Sequence, residues 1–483
     1  MDRSIAEGRT DNGRPSPPRE ASLDRRATAA IGLVVVLALF VLYVNSNSQR
    51  WNLYNHFVWQ ASAWLEGETA IRYPVLPNDG LGAHNEFFQD VMPIERPDGA
   101  PSGRALIPFP PLPALVVLPA VAIWGFATDS QLLASFLGAI VVGVAYWMLG
   151  RLPVGLWVRL GATLFLGVGT VIWYASMLGT TWYLAHLVAT GLMLAAIGIA
   201  LGADPVATSP EAAVEGEDDW YPEGDEGPLL GALARPWALI DSRQVLAGLL
   251  LGLACGARLT ALFGVPLLVF VGGGGSWRRR IVSTGLGLAI PLAGLAAYNV
   301  LSTGHLFSPV YEYLYRLEAG FYTFLNYNLD WAIEDPRYIP QNLGIALLGV
   351  PEILPPCEPG AVRGWFDPAC PYAVPKDVGM SVLLTSPAWL LAIPAIRLYG
   401  RSRIVTGAAI AIAAIGFVNL MHFSQGWVQF GYRFSNDLAP FALVLLAVGL
   451  ERLGGLRLST VALIGASIAI NWWGVIWGVT LGW

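Results

Sequence analysis

The sequence predicts an all-α membrane protein, a polytopic bundle of transmembrane helices. It has 483 residues, of which 55% are hydrophobic and only 13% charged, with a mean hydropathy of +0.55. A water-soluble protein of this composition would lack the polar groups to cover its surface. The apolar residues also form runs of about 14 to 22 residues, close to the ~20 that cross a bilayer as a helix. A β-barrel would instead show short strands of alternating polarity.

The charges and the glycines argue against several other classes of protein. The net charge of -6 is opposite in sign to that of a nucleic-acid-binding protein. The glycine run 272–275 is not followed by Lys and Ser or Thr, so it does not form a phosphate-binding P-loop. No Cys or His spacing typical of a zinc site is present, and the spacing of residues predicts no metal site.

Arginines set the predicted orientation of the chain. Residues 1–26 are rich in Arg, Ser, Pro and Gly, which predicts a disordered tail that the positive-inside rule places in the cytoplasm. We interpret the first apolar run, 27–44, as a membrane anchor. A cleaved signal peptide is the alternative, but no small-x-small cleavage site follows the run. Residues 27–483 then form the transmembrane domain of a multi-pass protein of the cell membrane.

Alternation across the bilayer predicts about eleven spans and one further helix that is re-entrant or interfacial. That helix is 108–126, which contains five prolines; counted as a span, it would place Arg151 and Arg159 outside. The spans are 27–44, 130–150, 157–174, 183–202, 281–300, 380–398, 404–421, 438–451 and 458–480, with two more within 244–271. Outer loops cover 45–107, 301–378 and 422–437, and an acidic loop, 203–243, lies in the cytoplasm.

The run 244–271 predicts a tight hairpin of two short spans. It has about 28 residues, and arginines on both flanks favour the cytoplasm, so the chain must cross an even number of times. Arg258 then lies at the outer apex of the hairpin. A charge in the middle of the bilayer would cost several kcal/mol, whereas one at the apex can meet a ligand.

The candidate polar residues all fall on the outer side. They are Asp79, His84, Glu86 and Asp90 in the first loop, Arg258 at the apex, Tyr311 and Glu312 in the aromatic stretch 311–338, and Tyr432 and Arg433 in the last outer loop. A carboxylate can take a proton from a hydroxyl, and an arginine can hold a phosphate leaving group. The alternatives are an interfacial aromatic belt for 311–338, a helix-end role for Arg258, and solvated loop positions for the acids.

Two cysteines of the same outer loop, Cys357 and Cys370, are candidates for a disulfide. An oxidising exterior favours the bond, and two free thiols are the alternative. The asymmetric distribution of polar residues favours a site at the outer leaflet. A transporter would more often place polar groups at the bilayer midplane between two related halves, and the sequence shows no internal repeat.

Five segments, in this order, resemble the C-type (GT-C) glycosyltransferase superfamily, the polytopic enzymes related to protein mannosyltransferases and aminoarabinose transferases. The segments are NHFVWQASAWLEG (55–67), GRALIPFPPLPALVVLP (103–119), GLLLGLACGARLTALFGVP (248–266), YNVLSTGHLFSPVYEY (298–313) and GWVQFGYRFSNDLAPF (426–441). The resemblance implies an inverting enzyme that moves a sugar from a polyprenyl-phosphate donor to a glycan, lipid or protein acceptor outside the cytoplasm.

The resemblance also implies roles for individual residues. The family's catalytic Asp usually opens the helix after the first span, where this sequence has Asn55-His56. Asp90 is therefore the first choice of catalytic acid, followed by Asp79 and Glu86. Arg258 would contact the donor phosphate, and Tyr432 and Arg433 would shape the pocket for donor or acceptor. Apart from the resemblance, the side chains of His84, Glu86 and Asp90 are of types that can hold a divalent cation, although their spacing is not diagnostic of a metal site.

The substitution at 55–56 keeps two alternatives open. One is a non-catalytic membrane scaffold or binding protein with the same fold. The other is a transporter of a lipid-linked sugar.

Overall fold

The computed structural model describes residues 25–47, 53–216, 236–273, 276–321, 328–358, 360 and 362–483. Most of the predicted tail 1–26 lies outside the described residues. Residues 217–235 of the acidic loop and 322–327 of the aromatic stretch also lie outside the described residues.

Over the described ranges, the fold is helical with two small sheets. The helices are α1 (Arg25–Ser46), α2 (His56–Leu65), α3 (Leu112–Trp124), α4 (Ser130–Leu149), α5 (Leu156–Val168), α6 (Val171–Leu178), α7 (Thr181–Gly202), α8 (Ser242–Cys255), α9 (Val265–Phe270), α10 (Trp277–Thr303), α11 (Val310–Phe321), α12 (Ile339–Leu348), α13 (Val382–Thr385), α14 (Ile393–Ile396), α15 (Arg403–Met421), α16 (Ser435–Arg452) and α17 (Leu458–Leu481). Shorter 3₁₀ segments include Leu259–Gly264, Pro336–Tyr338 and Pro387–Ala392.

Each predicted span coincides with a helix or a pair of helices. Within the described ranges, six helices are long and apolar enough to cross a membrane: α1, α4, α7, α10, α15 and α17. The predicted run 157–174 is not one straight helix, because α5 and α6 are bent by 50° relative to each other. The remaining candidates are shorter or, like α16, carry three charged side chains. The chain is therefore a polytopic helical membrane protein, and the count of about eleven spans stays a prediction.

The predicted run 380–398 is not one continuous helix. It divides into α13, a 3₁₀ segment from Pro387 to Ala392, and α14. Pro387 and Pro394 lack the backbone N–H that a regular α-helix needs at these positions, which accounts for the interruption. The prolines of 108–126 act similarly, since α3 has only 13 residues and begins behind a run of prolines.

Helix α7 lies at the centre of the bundle. Most of its residues are buried, whereas few residues of α1 and α10 are. The exposed residues of α10 include Ile281, Val282, Leu286 and Ile290, which suit contact with lipid. Polar groups that must be protected from lipid therefore gather along α7 and its neighbours.

The stretch 244–271 has the predicted hairpin form. Gln244 Nε2, in the first turn of α8, donates a hydrogen bond of 2.6 Å to the carbonyl of Leu268 in α9. The two ends of the hairpin therefore meet, and Arg258 lies at the opposite, closed end, where it precedes the 3₁₀ segment Leu259–Gly264. No arginine has to cross the bilayer in this arrangement.

A glycine seam joins this hairpin to α10. A Cβ atom added to Gly248 would lie 2.3 Å from the carbonyl oxygen of Thr284, and one added to Gly287 would lie 2.0 Å from that of Val245. The backbones of α8 and α10 thus touch with no side chain between them, as is common where membrane helices pack tightly. The seam fixes the position of the hairpin relative to its neighbour.

The outer loops contain the two sheets. In the first loop, β1 (Ile71–Arg72) and β2 (Met92–Glu95) both pair antiparallel with β3 (Pro101–Leu106). In the loop 301–378, β4 (Glu352–Ile353) pairs with β5 (Ala373–Val374), and a disulfide joins Cys357 to Cys370 nearby. The first sheet adjoins the segment Gln89–Asp90, which reaches the site described next.

Candidate functional site

Two cavities lie side by side at the end of the bundle that carries the Arg258 apex. The first has a volume of about 480 Å³ and is lined by Asp90, Arg433 and several aromatic rings. The second has a volume of about 250 Å³ and is lined by Arg258, Tyr311 and Glu334, among others. Trp182, at the start of α7, lines both. Residues that the sequence predicted on one side of the membrane therefore meet at one end of the protein.

Asp90 is fixed in the wall of the first cavity. Its Oδ2 accepts a hydrogen bond of 2.8 Å from the indole nitrogen of Trp182. Its backbone has φ of 55°, in the left-handed region that residues other than glycine seldom adopt. The described residues contain one other such position outside glycine, Val428, which lines the same cavity. Backbone strain of this kind costs about 1–3 kcal/mol per residue and concentrates at functional sites.

His56, the first residue of α2, supports the loop that carries Asp90. His56 is fully buried, and its Nε2 lies 2.9 Å from the carbonyl oxygen of Gln89, the residue before Asp90. A carbonyl only accepts, so Nε2 carries the proton, and Nδ1 pairs with the Thr181 hydroxyl at 3.0 Å. Burial lowers the pKa of His56 to about 4, despite the opposing effects of the Gln89 bond and the Asp90 charge. The ring is therefore neutral at pH 7, and both nitrogens are occupied by contacts within the protein.

Aromatic rings and one arginine complete the first cavity. The ring centre of Tyr54 lies 5.3 Å from that of Trp182, and the Arg433 guanidinium carbon lies 6.0 Å from the Trp182 ring centre. Trp427, in the loop 422–437, donates a hydrogen bond of 2.7 Å from its indole nitrogen to Asp377, in the loop 301–378. The cavity thus combines flat apolar faces with a carboxylate and a guanidinium.

Arg258 is held by a buried carboxylate of α16. Its Nη2 and Nε lie 2.8 and 3.3 Å from the two carboxylate oxygens of Asp437. Asp437 is fully buried and also accepts from His186 Nδ1 at 2.8 Å and from the Thr260 hydroxyl at 2.9 Å. This two-point contact with Asp437 fixes the plane of the guanidinium. The Arg258 side chain is 19% exposed and lines the second cavity.

The second cavity contains an acid, an imidazole and a phenol beside Arg258. His422 Nδ1 lies 3.0 Å from a carboxylate oxygen of Glu334. Burial raises the pKa of Tyr311 to about 12, while the Arg258 charge lowers it and those of Asp90 and Glu334 raise it. Tyr311 therefore keeps its proton at neutral pH and can donate a hydrogen bond. The two cavities are close neighbours, because Trp182 lines both of them.

The other predicted site residues lie outside the two cavities. Asp79 is exposed and accepts from the backbone N–H of Leu76, and His84 pairs with Glu86 at 3.0 Å on the loop surface. Glu312 pairs with Arg316 one helical turn further on. Tyr432 is buried against Ala346 and Phe434. Of the predicted residues, Asp90 and Arg433 meet in the first cavity, and Arg258 and Tyr311 in the second.

The described residues contain no group of three His, Cys, Asp or Glu side chains placed to hold a metal ion. His84 and Glu86 bind each other at the surface, while Asp90 is bound to Trp182 in the cavity. The set His84, Glu86 and Asp90 is therefore not assembled as a cation site in this conformation.

Several site residues were not identified from the sequence. They are Trp182, His186, Glu334, His422, Trp427 and Asp437. For Asp437 a signal existed, since an acid at the start of an apolar run is rare unless it is paired. For Trp182 and His422 no local pattern distinguishes a site residue from an interfacial aromatic or a loop histidine.

No family model matches the sequence, and no curated protein matches it. Solved structures are similar at low identity. The apo structure of ArnT from Cupriavidus metallidurans is 13% identical over 88% of this chain and 60% of that one, with a TM-score of 0.41. The structure of the same enzyme bound to undecaprenyl phosphate is 12% identical over 95% and 77%, with a TM-score of 0.43. The apo oligosaccharyltransferase of Archaeoglobus fulgidus is 14% identical over 94% and 56%, with a TM-score of 0.46.

This chain thus spans less than two thirds of the length of the first ArnT chain and of the oligosaccharyltransferase.

Proposed function

We propose that this protein is a glycosyltransferase that moves a sugar from a polyprenyl-phosphate donor to an acceptor on the non-cytoplasmic side of the membrane. One observation carries the proposal: a fixed carboxylate, Asp90, and a fixed guanidinium, Arg258, line adjoining cavities that share Trp182. Transfer from a phosphate needs a base on one side of the reacting carbon and a cation on the other.

Arg258 is suited to hold the donor phosphate. Its bond to the buried Asp437 orients the guanidinium before any ligand arrives, so little ordering is left for the ligand to induce. The Tyr311 hydroxyl lines the same cavity and can donate a second hydrogen bond to a phosphate oxygen. Together these groups stabilise the negative charge that develops on the leaving phosphate.

An apolar groove next to the apex is suited to the polyprenyl chain. It has a volume of about 360 Å³, and its lining includes Trp64, Leu112, Leu253, Gly256 and Leu295. The carbonyl of Gly256, two residues before Arg258, accepts a bond of 2.8 Å from the N–H of Leu112 at the groove wall. A lipid lying in this groove would have its phosphate end near the guanidinium.

The transfer step needs one base. The Asp90 carboxylate takes the proton of the acceptor hydroxyl as the acceptor oxygen forms a bond to the sugar carbon. The bond between that carbon and the donor phosphate oxygen breaks, and the phosphate leaves with the electron pair as polyprenyl phosphate beside Arg258. The new bond forms on the face opposite to the leaving group, so the configuration at the sugar carbon inverts.

The experiment uses the purified full-length protein in lipid nanodiscs with radiolabelled polyprenyl-phosphate sugars and a cell-envelope extract as acceptor. We expect label to enter the extract with the wild type, and to be strongly reduced with Asp90→Asn or Arg258→Ala. Asp98→Asn is the matched control, because this acid lies exposed in the same loop and bonds only to the backbone of Ala100 in the described contacts.

Full transfer by both site variants would contradict the assignment of the site. Donor binding without transfer, in the wild type and in every variant, would instead indicate the scaffold or carrier function. Movement of labelled lipid between leaflets would separate a carrier from a scaffold.

A further inference from the structure

We infer that the first cavity is a carbohydrate-binding site, and that the acceptor is a glycan whose end sugar stacks on Trp427. The inference rests on the proposed function for its place in the reaction. The binding site itself rests on the residues of the cavity.

Trp427 offers a flat apolar face with its polar edge already occupied. Its side chain is 36% exposed and lines the first cavity, while its indole N–H is bound to Asp377. The bond to Asp377 fixes the orientation of the indole plane. A fixed, partly exposed indole suits the apolar face of a sugar ring, since large rigid aromatic side chains lose little entropy on binding.

Hydrogen-bonding groups surround this platform. Asp90, Gln89, Thr180 and Arg433 all line the same cavity. A sugar presents hydroxyls around its rim and C–H groups on its faces, so a ligand that stacks on Trp427 can bond at its edge to these side chains. A cavity with a flat apolar surface and a polar rim is therefore complementary to the faces and the edge of a sugar ring.

The strained backbone supports a ligand site at this place. Val428 follows Trp427 directly and has φ of 52°, which is a costly conformation for a β-branched residue. The strain at Val428 and at Asp90 sets the direction of the two segments that face the cavity. Strain held at two positions of one cavity is typical of a site in which side-chain direction matters.

The form of the cavity favours a glycan over a peptide or a lipid chain. None of the described residues that line it belongs to a β-strand, so no strand edge is offered for an extended peptide. Charged and polar side chains in the wall disfavour an acyl chain, which the apolar groove of the previous section suits better. The volume of about 480 Å³ lies in the range of small-molecule sites, which fits the end of a chain of sugars.

The test measures binding directly, and so does not depend on transfer. Linear oligosaccharides of two to six hexose, N-acetylhexosamine or pentose units are titrated into the full-length protein in nanodiscs by calorimetry. We expect at least one series to bind the wild type, and Trp427→Ala to weaken that binding about tenfold or more. Trp427→Phe keeps an aromatic face and should retain most of the affinity.

The matched control is Trp124→Ala. Trp124 ends α3, is 59% exposed, and does not line either cavity, so its loss should leave binding unchanged. Thermal unfolding of each variant identifies any that are misfolded. If Trp427→Ala is misfolded, Trp427→Leu, which fills the position without an aromatic face, serves in its place and should show the same loss.

Equal binding by the wild type and Trp427→Ala would overturn the inference, as would the absence of binding to every oligosaccharide. Transfer of label to a peptide or to a lipid, with no binding of sugars, would overturn the inference and leave the proposed function standing. Binding of sugars without any transfer of label would support the carbohydrate-binding site and overturn the proposed function.

Discussion

Two buried pairs of Asp and Arg lie at opposite ends of the bundle and differ in one respect. At the end opposite the apex, Asp204 after α7 pairs with Arg403 at the start of α15 at 3.1 Å, and both are at most 8% exposed. At the apex, Asp437 pairs with Arg258 at 2.8 Å, but the arginine is 19% exposed and lines a cavity. The chemistry of the two pairs is the same, and only the second presents its cation to a space that a ligand can enter.

The partners of the two acids explain the difference. Asp204 also accepts from the backbone N–H groups of Ala207 and Gly272, and Arg403 also donates to the carbonyl of Phe270. These bonds tie α7, the hairpin and α15 together at that end. Asp437 is likewise surrounded by donors, but they fix one arginine beside an open cavity. A buried ion pair therefore indicates function by where its cation points, and not by its burial alone.

The largest effect on activity is expected at Asp90, the carboxylate that lines the first cavity. Asp90→Asn keeps an acceptor for the Trp182 indole but removes the base, so the turnover rate should fall about 1000-fold. Donor binding should change little, because Arg258 is untouched. Single-turnover transfer of labelled sugar measures the first quantity, and equilibrium binding of the donor lipid measures the second. Unchanged turnover would mean that another group, such as Glu334 or His422, is the base.

Loss of the Arg403–Asp204 pair, at the end opposite the apex, should lower stability without lowering sugar transfer. Arg403→Ala leaves the buried Asp204 without its cation, and we expect the free energy of unfolding to fall by about 3 kcal/mol. Transfer per folded molecule should stay within about twofold of the wild type, because Arg403 lies at the far end from both cavities. Unfolding in denaturant and active-site titration check the two halves of this prediction. A large loss of turnover per folded molecule would remove the distinction between the two ends.

Arg258→Lys tests the apex pair with less disturbance. The ammonium keeps the charge beside Asp437 but cannot make the two-point contact of a guanidinium, so stability should change by less than about 1 kcal/mol. Transfer should fall about 10- to 100-fold, because one charge-assisted donor to the phosphate is lost. The corresponding Arg403→Lys variant is the control, and it should keep full transfer. Equal transfer by both lysine variants would contradict a phosphate role for Arg258.

The smallest effect at neutral pH is expected at His56, a buried residue of the apex end that we assign to structure. In the unfolded chain its pKa is about 6.5, whereas burial lowers it to about 4 in the folded protein. Between these values unfolding takes up a proton, so stability falls as the pH falls from about 6.5 to 4, by at most about 1.4 kcal/mol per pH unit.

His56→Gln removes this titration, and its unfolding free energy should depend less steeply on pH over the same window. Denaturant unfolding of the wild type and the variant at pH 4.5, 5.5 and 7 measures the two slopes. Identical slopes would show that His56 does not titrate with the predicted difference.

Much of the fold followed from the sequence because lipid imposes simple rules. Runs of apolar residues with arginines at their ends predicted where helices lie, and the parity of crossings predicted the hairpin with Arg258 at its closed end. The breaks at 169–170 and at Pro387 were not predicted, because hydropathy averages over a window and does not register a local bend.

The site was predicted in part, and the reason is the distance along the chain between its members. Asp90, Arg258 and Arg433 were selected by residue type and by resemblance, and the structure brings them to two adjoining cavities. The sequence could not place Trp182 between the cavities or Asp437 behind Arg258, since these contacts join residues about 90 and 180 positions apart. Nor could it show that His56 supports the Asp90 loop from beneath.

The glycine seam between α8 and α10 couples the position of Arg258 to the packing of the two helices. Gly248 lies ten residues before Arg258, or about 15 Å along a helix, and an added methyl group would press directly on the backbone of Thr284. No side chain lies between the two backbones to absorb that push, so we expect Gly248→Ala to displace the hairpin, and with it Arg258, relative to α10. A substitution deep within the membrane is therefore expected to change the placement of Arg258 although it touches neither cavity.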